Sequence, residues 1–327
     1  MTIHDRIYGN IIITDPLIIE LILSKPFQRL KEINQHGAGN YIQTHRNVTR
    51  FEHCIGAWYL SKRFNRSIEE QIASLLHDVP HTAFSHVIDL VVGDQKHEYH
   101  DRFLKKVILA SEIPEILRKH NLVLEKVLDK DAFPLLNNNL PDISVDRWDY
   151  FMRDGFSCNV LPKETIALFL NSIKEQNEKF YFEEIGIASL YSIMFMNCSR
   201  LLWLDPTSHG SFFVLAEAIK IAWAKNHITQ SDFFTTDAVL MKKLQQTNDP
   251  EILSFLNRLK PGMEFHYASK EQAEFYGMNK PRYVDPWIMQ NKKLHLLSDL
   301  TPGLKEYFSE FKSRYMYIGV NQNLTKK

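Results

Sequence analysis

Along most of this chain apolar residues recur every three or four positions, the period of an amphipathic helix. Across residues 15–35 the apolar positions Leu17, Leu21, Phe27 and Leu30 keep that period, and Pro26 marks a fresh helix start after a break. The spacing predicts helices over 49–65 and 68–78, the second opened by Ser67 with Glu70 three residues later. "QHGAGNYIQ" (35–43) is a Gly-bearing loop, and "DVPHTAFSH" (78–86) breaks at Pro80 before a helix that reaches Val92 and stops at Gly93. Helices are expected near 98–110 and 113–128. After the polar turn "LNNNLPD" (136–142) further helices are expected at 143–154, 163–175, 186–204 and 209–226. "KFYFEEIGIA" (179–188) holds one short strand between two of them.

Near residue 231 the pattern changes. Short helices give way to the Pro-Gly linker "LKPGMEF" (259–265) and two β-like runs, "RYVDPWI" (282–288) and "RYMYIGV" (314–320). The predicted fold class is therefore mainly α. A helical body over 1–230 is followed by a helical and α+β region over 231–327, a small appendage.

Composition narrows the function classes. Of the 327 residues, 44% are apolar and 24% charged, and 39 basic residues balance 39 acidic ones. That is an ordinary globular composition, and zero net charge argues against a dedicated nucleic-acid scaffold. Nucleic acid is therefore a possible but not an indicated partner. Cys54, Cys158 and Cys198 are too few and too scattered for a disulfide framework or a Cys-rich zinc site. The N-terminus has neither a basic leader nor a small-residue cleavage site, and its apolar run is broken by Asp15, Pro16 and Glu20. A soluble cytoplasmic protein with no membrane span is the expectation.

Candidate chemistry comes from a cluster. His53, in "TRFEHCIGAWYL", reads on its own as a packing residue beside Ile55, Trp58 and Leu60. His77 and Asp78 are adjacent at a helix end, and His81, His86, Asp89 and His97 follow within twenty residues. An imidazole next to a carboxylate, where the chain leaves regular helix, suits a divalent first-row metal. Further on, Asp146, Tyr150 and Asp154 fall at i, i+4 and i+8 on one helix face, flanked by Arg147.

The order His53, His77-Asp78, Asp146 resembles the signature of HD-domain metal-dependent phosphohydrolases. "RFEH" (50–53), "HDVPHTAFSH" (77–86) and "VDRWDYFMRD" (145–154) are similar to the deoxynucleoside triphosphate triphosphohydrolase branch, as is the opening stretch 15–39. The likeness extends over about residues 1–245 and implies an HD-domain helical-bundle core. It assigns His53, His77, Asp78 and Asp146 as ligands of one divalent ion, Mn, Fe, Ni or Zn, with Mg accompanying the substrate phosphates. It implies proton transfer and phosphate contacts by His81, His86, Asp89 and His97, with His100 able to stand in for His97. Arg50 and Arg147 would hold phosphates, and Tyr150, Asp154 and Gln35 the sugar. His36 stands where dNTP-specific relatives carry a leucine beside the ribose 2′ position, and Leu23 where an activating guanine is read in the branch. Arg200 is the single candidate for a distal phosphate arginine. The branch tends to form homo-oligomers, on helices like 186–226.

The implied reaction is water attack on the α-phosphorus of a (deoxy)nucleoside triphosphate, releasing nucleoside and tripolyphosphate. A different phosphoester (a nucleoside monophosphate, a cyclic or signalling nucleotide, a nucleic-acid end) is the alternative. A non-catalytic nucleotide-binding module is the third reading.

Overall fold

The helices start where the sequence supplies caps. In the computed structural model, which describes residues 1–96, 98–129, 132–278, 280–309, 311 and 315–320, the Arg50–Arg63 helix opens on a capping box. Thr49 accepts from the Glu52 backbone N–H and Glu52 accepts from that of Thr49. Ser67 caps Ile68–Leu76, Ser144 caps Val145–Ser157, and Asp205 caps Pro206–Ala224 with Pro206 at the first helical position. Each such cap contributes about 1 kcal/mol.

The Arg50–Arg63 helix lies between two apolar cores. Cys54, Ile55 and Trp58 pack with the N-terminal helices and with Ile68–Leu76. Ala57 and Leu60 belong to a second core with Trp148, Phe151 and Met152 from the Val145–Ser157 helix. A third core surrounds Pro206–Ala224 and takes in Phe84, Val87 and Ile88. Ile185–Cys198 continues into a π-helical turn, Ser199–Trp203. The joined stretch is long and apolar enough to cross a membrane. Its composition answers to packing, since Tyr191, Ser192, Phe195 and Met196 are buried in the interior.

The protein is mainly α with small sheets, as the sequence predicts. Three details differ. The first twelve residues form an antiparallel hairpin, β1 (Thr2–Asp5) and β2 (Gly9–Ile12), which the short apolar run did not announce. The spans 98–110 and 113–128 are each split into shorter helical pieces, while 15–35 breaks before Pro26 as expected. The strand expected in 179–188 is β4 (Lys179–Phe182), antiparallel to β3 (Lys174–Gln176).

Contacts cross residue 230 between the helical body and the C-terminal region. β4 pairs in parallel with β7 (Trp287–Gln290), which pairs with β8 (Lys293–Leu296), joining the C-terminal region to the helical body. β5 (Phe265–Tyr267) and β6 (Phe275–Met278) flank β9 (Tyr315–Val320), and Phe265, Phe275 and Ile318 enter the core around Pro206–Ala224. Of the two β-like runs, 314–320 is β9 from Tyr315 onward, while 282–286 is an extended strap that becomes strand only at Trp287.

Candidate metal centre and substrate cavity

His53 projects from the first half of the Arg50–Arg63 helix, and His77 is the C-cap of Ile68–Leu76. Asp78 follows where the helix ends, and Asp146 lies in the first turn of Val145–Ser157. Packing of these elements brings the four side chains together. His53 Nε2 is 3.0 Å from Asp146 Oδ1, 3.2 Å from His77 Nε2 and 3.8 Å from Asp78 Oδ2. His77 Nε2 is 3.6 Å from Asp78 Oδ1 and 3.7 Å from Asp146 Oδ1.

The donor chemistry fits a divalent ion. His77 Nδ1 donates to the Ser74 carbonyl at 2.8 Å, which assigns its lone pair to Nε2. His53 Nδ1 meets Asp149 Oδ2 at 2.8 Å, so its Nε2 is turned into the cluster. The two imidazole nitrogens and the Asp146 carboxylate lie within 4.8 Å of one another, with the Asp78 carboxylate beside them, and together they call for positive charge. Burial opposes a charged His53, but its bonds to Asp146 and Asp149 outweigh it and push the imidazole up to about 10. Burial would raise Asp78 and Asp146, yet Arg50 and the histidines hold Asp78, and His53 and His77 hold Asp146, below the usual carboxyl range. Arg50 Nη1 donates to Asp78 Oδ2 at 2.6 Å and its Nε to Ser85 Oγ at 3.1 Å.

Asp149, which sequence reasoning missed, anchors the cluster from behind. It accepts two bonds from fully buried Arg153, both at 2.9 Å, and one from Tyr8 Oη at 2.7 Å. Arg153 also donates to Asp5 Oδ2 at 2.9 Å, so the N-terminal hairpin contributes to the support of His53. Gly56 makes room for this group: a Cβ there would lie 1.8 Å from Asp149 Oδ1 and 2.4 Å from Arg153 Nη2. The signal was present in "RWDYFMRD", where Asp149 and Arg153 are four apart and share the helix face that carries Asp146.

A cavity of about 370 Å³ opens from the cluster. On one side His81 stacks on His100, rings 3.7 Å apart and 18° from parallel, and His81 Nε2 lies 3.4 Å from Asp78 Oδ1. Burial first, then Arg50, depresses His81 well below the ordinary imidazole value, and burial likewise lowers His100. His86 also lines the cavity, its Nδ1 bonded to buried Asp89 at 2.7 Å. His97 lies outside the described residues.

At the other end Asp154 accepts from Gln35 Nε2 at 3.0 Å and from Trp203 Nε1 at 2.9 Å. The π turn is what swings Trp203 onto the cavity wall. His36 Nε2 stands 3.4 Å from Asp154 Oδ1, buried and without a hydrogen-bond partner, as is Gln35 Oε1. Tyr150 lines the wall between the two ends.

Two arginines turn away. Arg147 donates to the carbonyls of Asp142 at 2.5 Å and Asn138 at 3.0 Å, and it does not line the cavity. The phosphate contact expected of it is corrected: the guanidinium braces the turn before its own helix. Arg200 donates to Tyr307 Oη at 2.5 Å and lies over the Tyr307 and Phe311 rings.

The HD domain family model matches residues 50–154. The uncharacterized Bacillus subtilis protein YdhJ is 36% identical over 294 residues, 90% of each chain. The metal-dependent phosphohydrolase cns2 of Cordyceps militaris is 28% identical over 287 residues, 82% of each chain. Human deoxynucleoside triphosphate triphosphohydrolase SAMHD1 is 29% identical over 203 residues, 46% of this chain and 32% of its own. In fold, the crystal structure of a phosphohydrolase from Bacteroides thetaiotaomicron matches 98% of this chain and 99% of that one, with a TM-score of 0.75 at 18% identity.

Proposed function

The chain belongs to the HD-domain family of metal-dependent phosphohydrolases, and from that premise we propose that it hydrolyses a nucleotide, in first place a (deoxy)nucleoside triphosphate to nucleoside and tripolyphosphate. One observation carries the reading. The Val145–Ser157 helix sets Asp146 at the ligand cluster, Tyr150 a turn on, and Asp154, with its Gln35 and Trp203 partners, two turns on. At 1.5 Å per residue this separates the two ends by about 12 Å, so phosphate and nucleoside can occupy opposite ends of one cavity. Likeness to triphosphohydrolases over nearly half of the chain supports the same substrate class.

His53, His77, Asp78 and Asp146 would hold the divalent ion, Mn, Fe, Ni or Zn. Bound there, it would supply Lewis acidity, lowering the pKa of water and drawing charge off a phosphoryl oxygen. Arg50 is placed to take a phosphate oxygen beside Asp78. His86, its Nδ1 on Asp89, presents Nε2 to deliver a proton to the leaving O5′ as the bond between that oxygen and the α-phosphorus breaks. Neutral His81, stacked on His100, is suited to accept a hydrogen bond without adding charge. Asp154 and Gln35 offer acceptors to sugar hydroxyls, and His36 offers Nε2.

A second reading, a nucleoside monophosphate, is favoured by Arg147 and Arg200, both committed elsewhere. The test is incubation of the Mn²⁺-loaded protein with a panel of nucleoside mono- and triphosphates, with phosphate products resolved. Tripolyphosphate supports the first reading and orthophosphate the second. Asp146→Ala should abolish both turnover and metal retention. No turnover on any nucleotide with metal bound would refute the proposal.

A further inference from the structure

Three arginines line the cavity, and two of them are engaged with the protein. Arg50 donates to Asp78 and Ser85, while Arg46 donates to the Leu202 carbonyl at 3.0 Å and to Asp205 at 3.1 Å. The third, Arg282, comes from the C-terminal strap. Among the described residues none accepts a hydrogen bond from its guanidinium or lies within ion-pair distance. It is held by its face instead, 5.5 Å from the Tyr150 ring centroid and 5.8 Å from that of Trp203. That contact leaves the N–H groups in the guanidinium plane, its strongest donors, open to the cavity.

The strap is fixed close to the site. The Arg282 backbone N–H donates to buried Ser199 Oγ at 2.9 Å, in the π turn that places Trp203. Asp285 N–H donates to the Pro141 carbonyl at 2.9 Å, and Trp287 Nε1 to Asp142 Oδ1 at 2.8 Å, on the turn before the helix of Asp146. Lys280 lines the same cavity two residues earlier, with Nζ on the Lys96 carbonyl at 2.6 Å and no carboxylate in ion-pair reach among the described residues. Burial and the neighbouring Arg282 disfavour its charge and outweigh the more distant Glu98, Asp94 and Asp89. Two cations set side by side, with no carboxylate in ion-pair distance of either among the described residues, call for an anion.

We infer that Arg282, assisted by Lys280, forms a second anion-binding position in this cavity, taking the oxygens of phosphoryl groups beyond the one held at the ligand cluster. Tyr150, under Arg282, is one helical turn from Asp146, about 6 Å along the axis, a step that the tail of a polyphosphate spans. The assignment rests on the phosphohydrolase reading of the site. It gives the C-terminal region a function, supplying the cation that Arg147 and Arg200 do not.

The experiment is calorimetric titration of the metal-loaded full chain with inorganic tripolyphosphate and with orthophosphate, for the native protein, Arg282→Gln, Arg282→Lys and Lys280→Gln. Arg282→Gln should weaken tripolyphosphate by about tenfold or more, the scale of one lost charge-assisted contact. It should change orthophosphate by less than twofold, and Arg282→Lys should restore part of the loss. Unchanged tripolyphosphate affinity in an Arg282→Gln protein of native melting temperature would overturn the inference. So would equal losses for both anions, because Arg282 would then act at the cluster itself. Binding is read without turnover. If no nucleotide is hydrolysed yet tripolyphosphate affinity depends on Arg282, the subsite stands and the reaction falls. If turnover is found and Arg282 is inert, the reverse holds.

Discussion

Gly56→Ala is the sharpest test of how the metal centre is supported. In a helix interior this change normally stabilises by about 1 kcal/mol, since alanine is the better helix former. Here the new methyl would stand 1.8 Å from Asp149 Oδ1 and 2.4 Å from Arg153 Nη2. Neither side chain can yield cheaply, because both are fully buried and bonded to each other, to His53, to Asp5 and to Tyr8. Displacing the carboxylate by more than an ångström breaks a buried ion pair, at about 3–5 kcal/mol. The helix-propensity gain offsets about 1 of these. The expected net loss is about 2–4 kcal/mol, opposite in sign to the generic effect. Urea melts of the metal-free protein measure it, and calorimetry of Mn²⁺ binding should show a parallel loss as His53 is released. A double-mutant cycle isolates the cause: in an Asp149→Ala background the same methyl meets no carboxylate, so Gly56→Ala should cost under 1 kcal/mol. A neutral or stabilising Gly56→Ala in the native background would refute the reasoning.

Other expectations bear on single contacts. Asp149→Asn keeps the shape but weakens the grip on His53 Nδ1, and metal affinity by calorimetry should fall about 10- to 100-fold, the usual range for a residue that orients a ligand. Arg147→Met should lower stability by about 1–3 kcal/mol through the carbonyls it leaves unpaired, while substrate KM stays within twofold. A tenfold rise in KM in a folded variant would return Arg147 to the substrate. His36 sets an acid limb. Burial, opposed by Asp154, lowers its pKa from 6.5 to about 4, so the unfolded chain takes up a proton that the folded one refuses. Stability is therefore lost as pH falls from 6.5 towards 4, by up to about 3 kcal/mol at 1.36 kcal/mol per unit. Urea melts of His36→Leu across that range should be flatter than native by about that amount, and identical slopes would contradict the assignment.

The sequence made the grouping of His53, His77 and Asp146 legible because each sits at a position that local rules define: His53 after a capping box, His77 at a helix end, Asp146 just inside a capped helix. What it did not disclose are contacts made across long separations. Asp149 looks like any i, i+4 partner of Arg153 until Tyr8 and Asp5 arrive from the N-terminal hairpin. Arg147 was misread because flanking the right helix face does not fix where a long side chain ends, and the turn before it offers carbonyls closer than the cavity. Arg282 was invisible for the opposite reason. It lies in an extended strap with no period to reveal a buried face, and its place depends on Ser199, 83 residues away.

The loop that carries Asp78 is held by residues beyond 230. Phe84 and Ser85 both hold positive φ, 59° and 53°, in the left-handed region that disfavours side chains. Each such residue costs on the order of 1–3 kcal/mol and persists only where its surroundings dictate it. Gly37, itself at φ +50°, makes part of the room: a Cβ there would meet the Phe84 carbonyl at 2.6 Å. Arg29 grips the loop by the carbonyls of Val79 and His81, at 2.9 and 2.6 Å, and the C-terminal region by that of Thr235 at 2.9 Å. Asp237 accepts the Phe84 N–H at 2.6 Å and the Asn34 N–H at 2.9 Å, tying the loop to the one bearing Gln35 and His36. Ser85 then serves both sides, donating to the Asn34 carbonyl and accepting from Arg50. Cutting the chain near 230 would remove Asp237, Thr235 and the strap of Arg282 together. The strained turn that delivers Asp78 and His81 would lose the contacts that hold it, although His53, His77, Asp78 and Asp146 all remained.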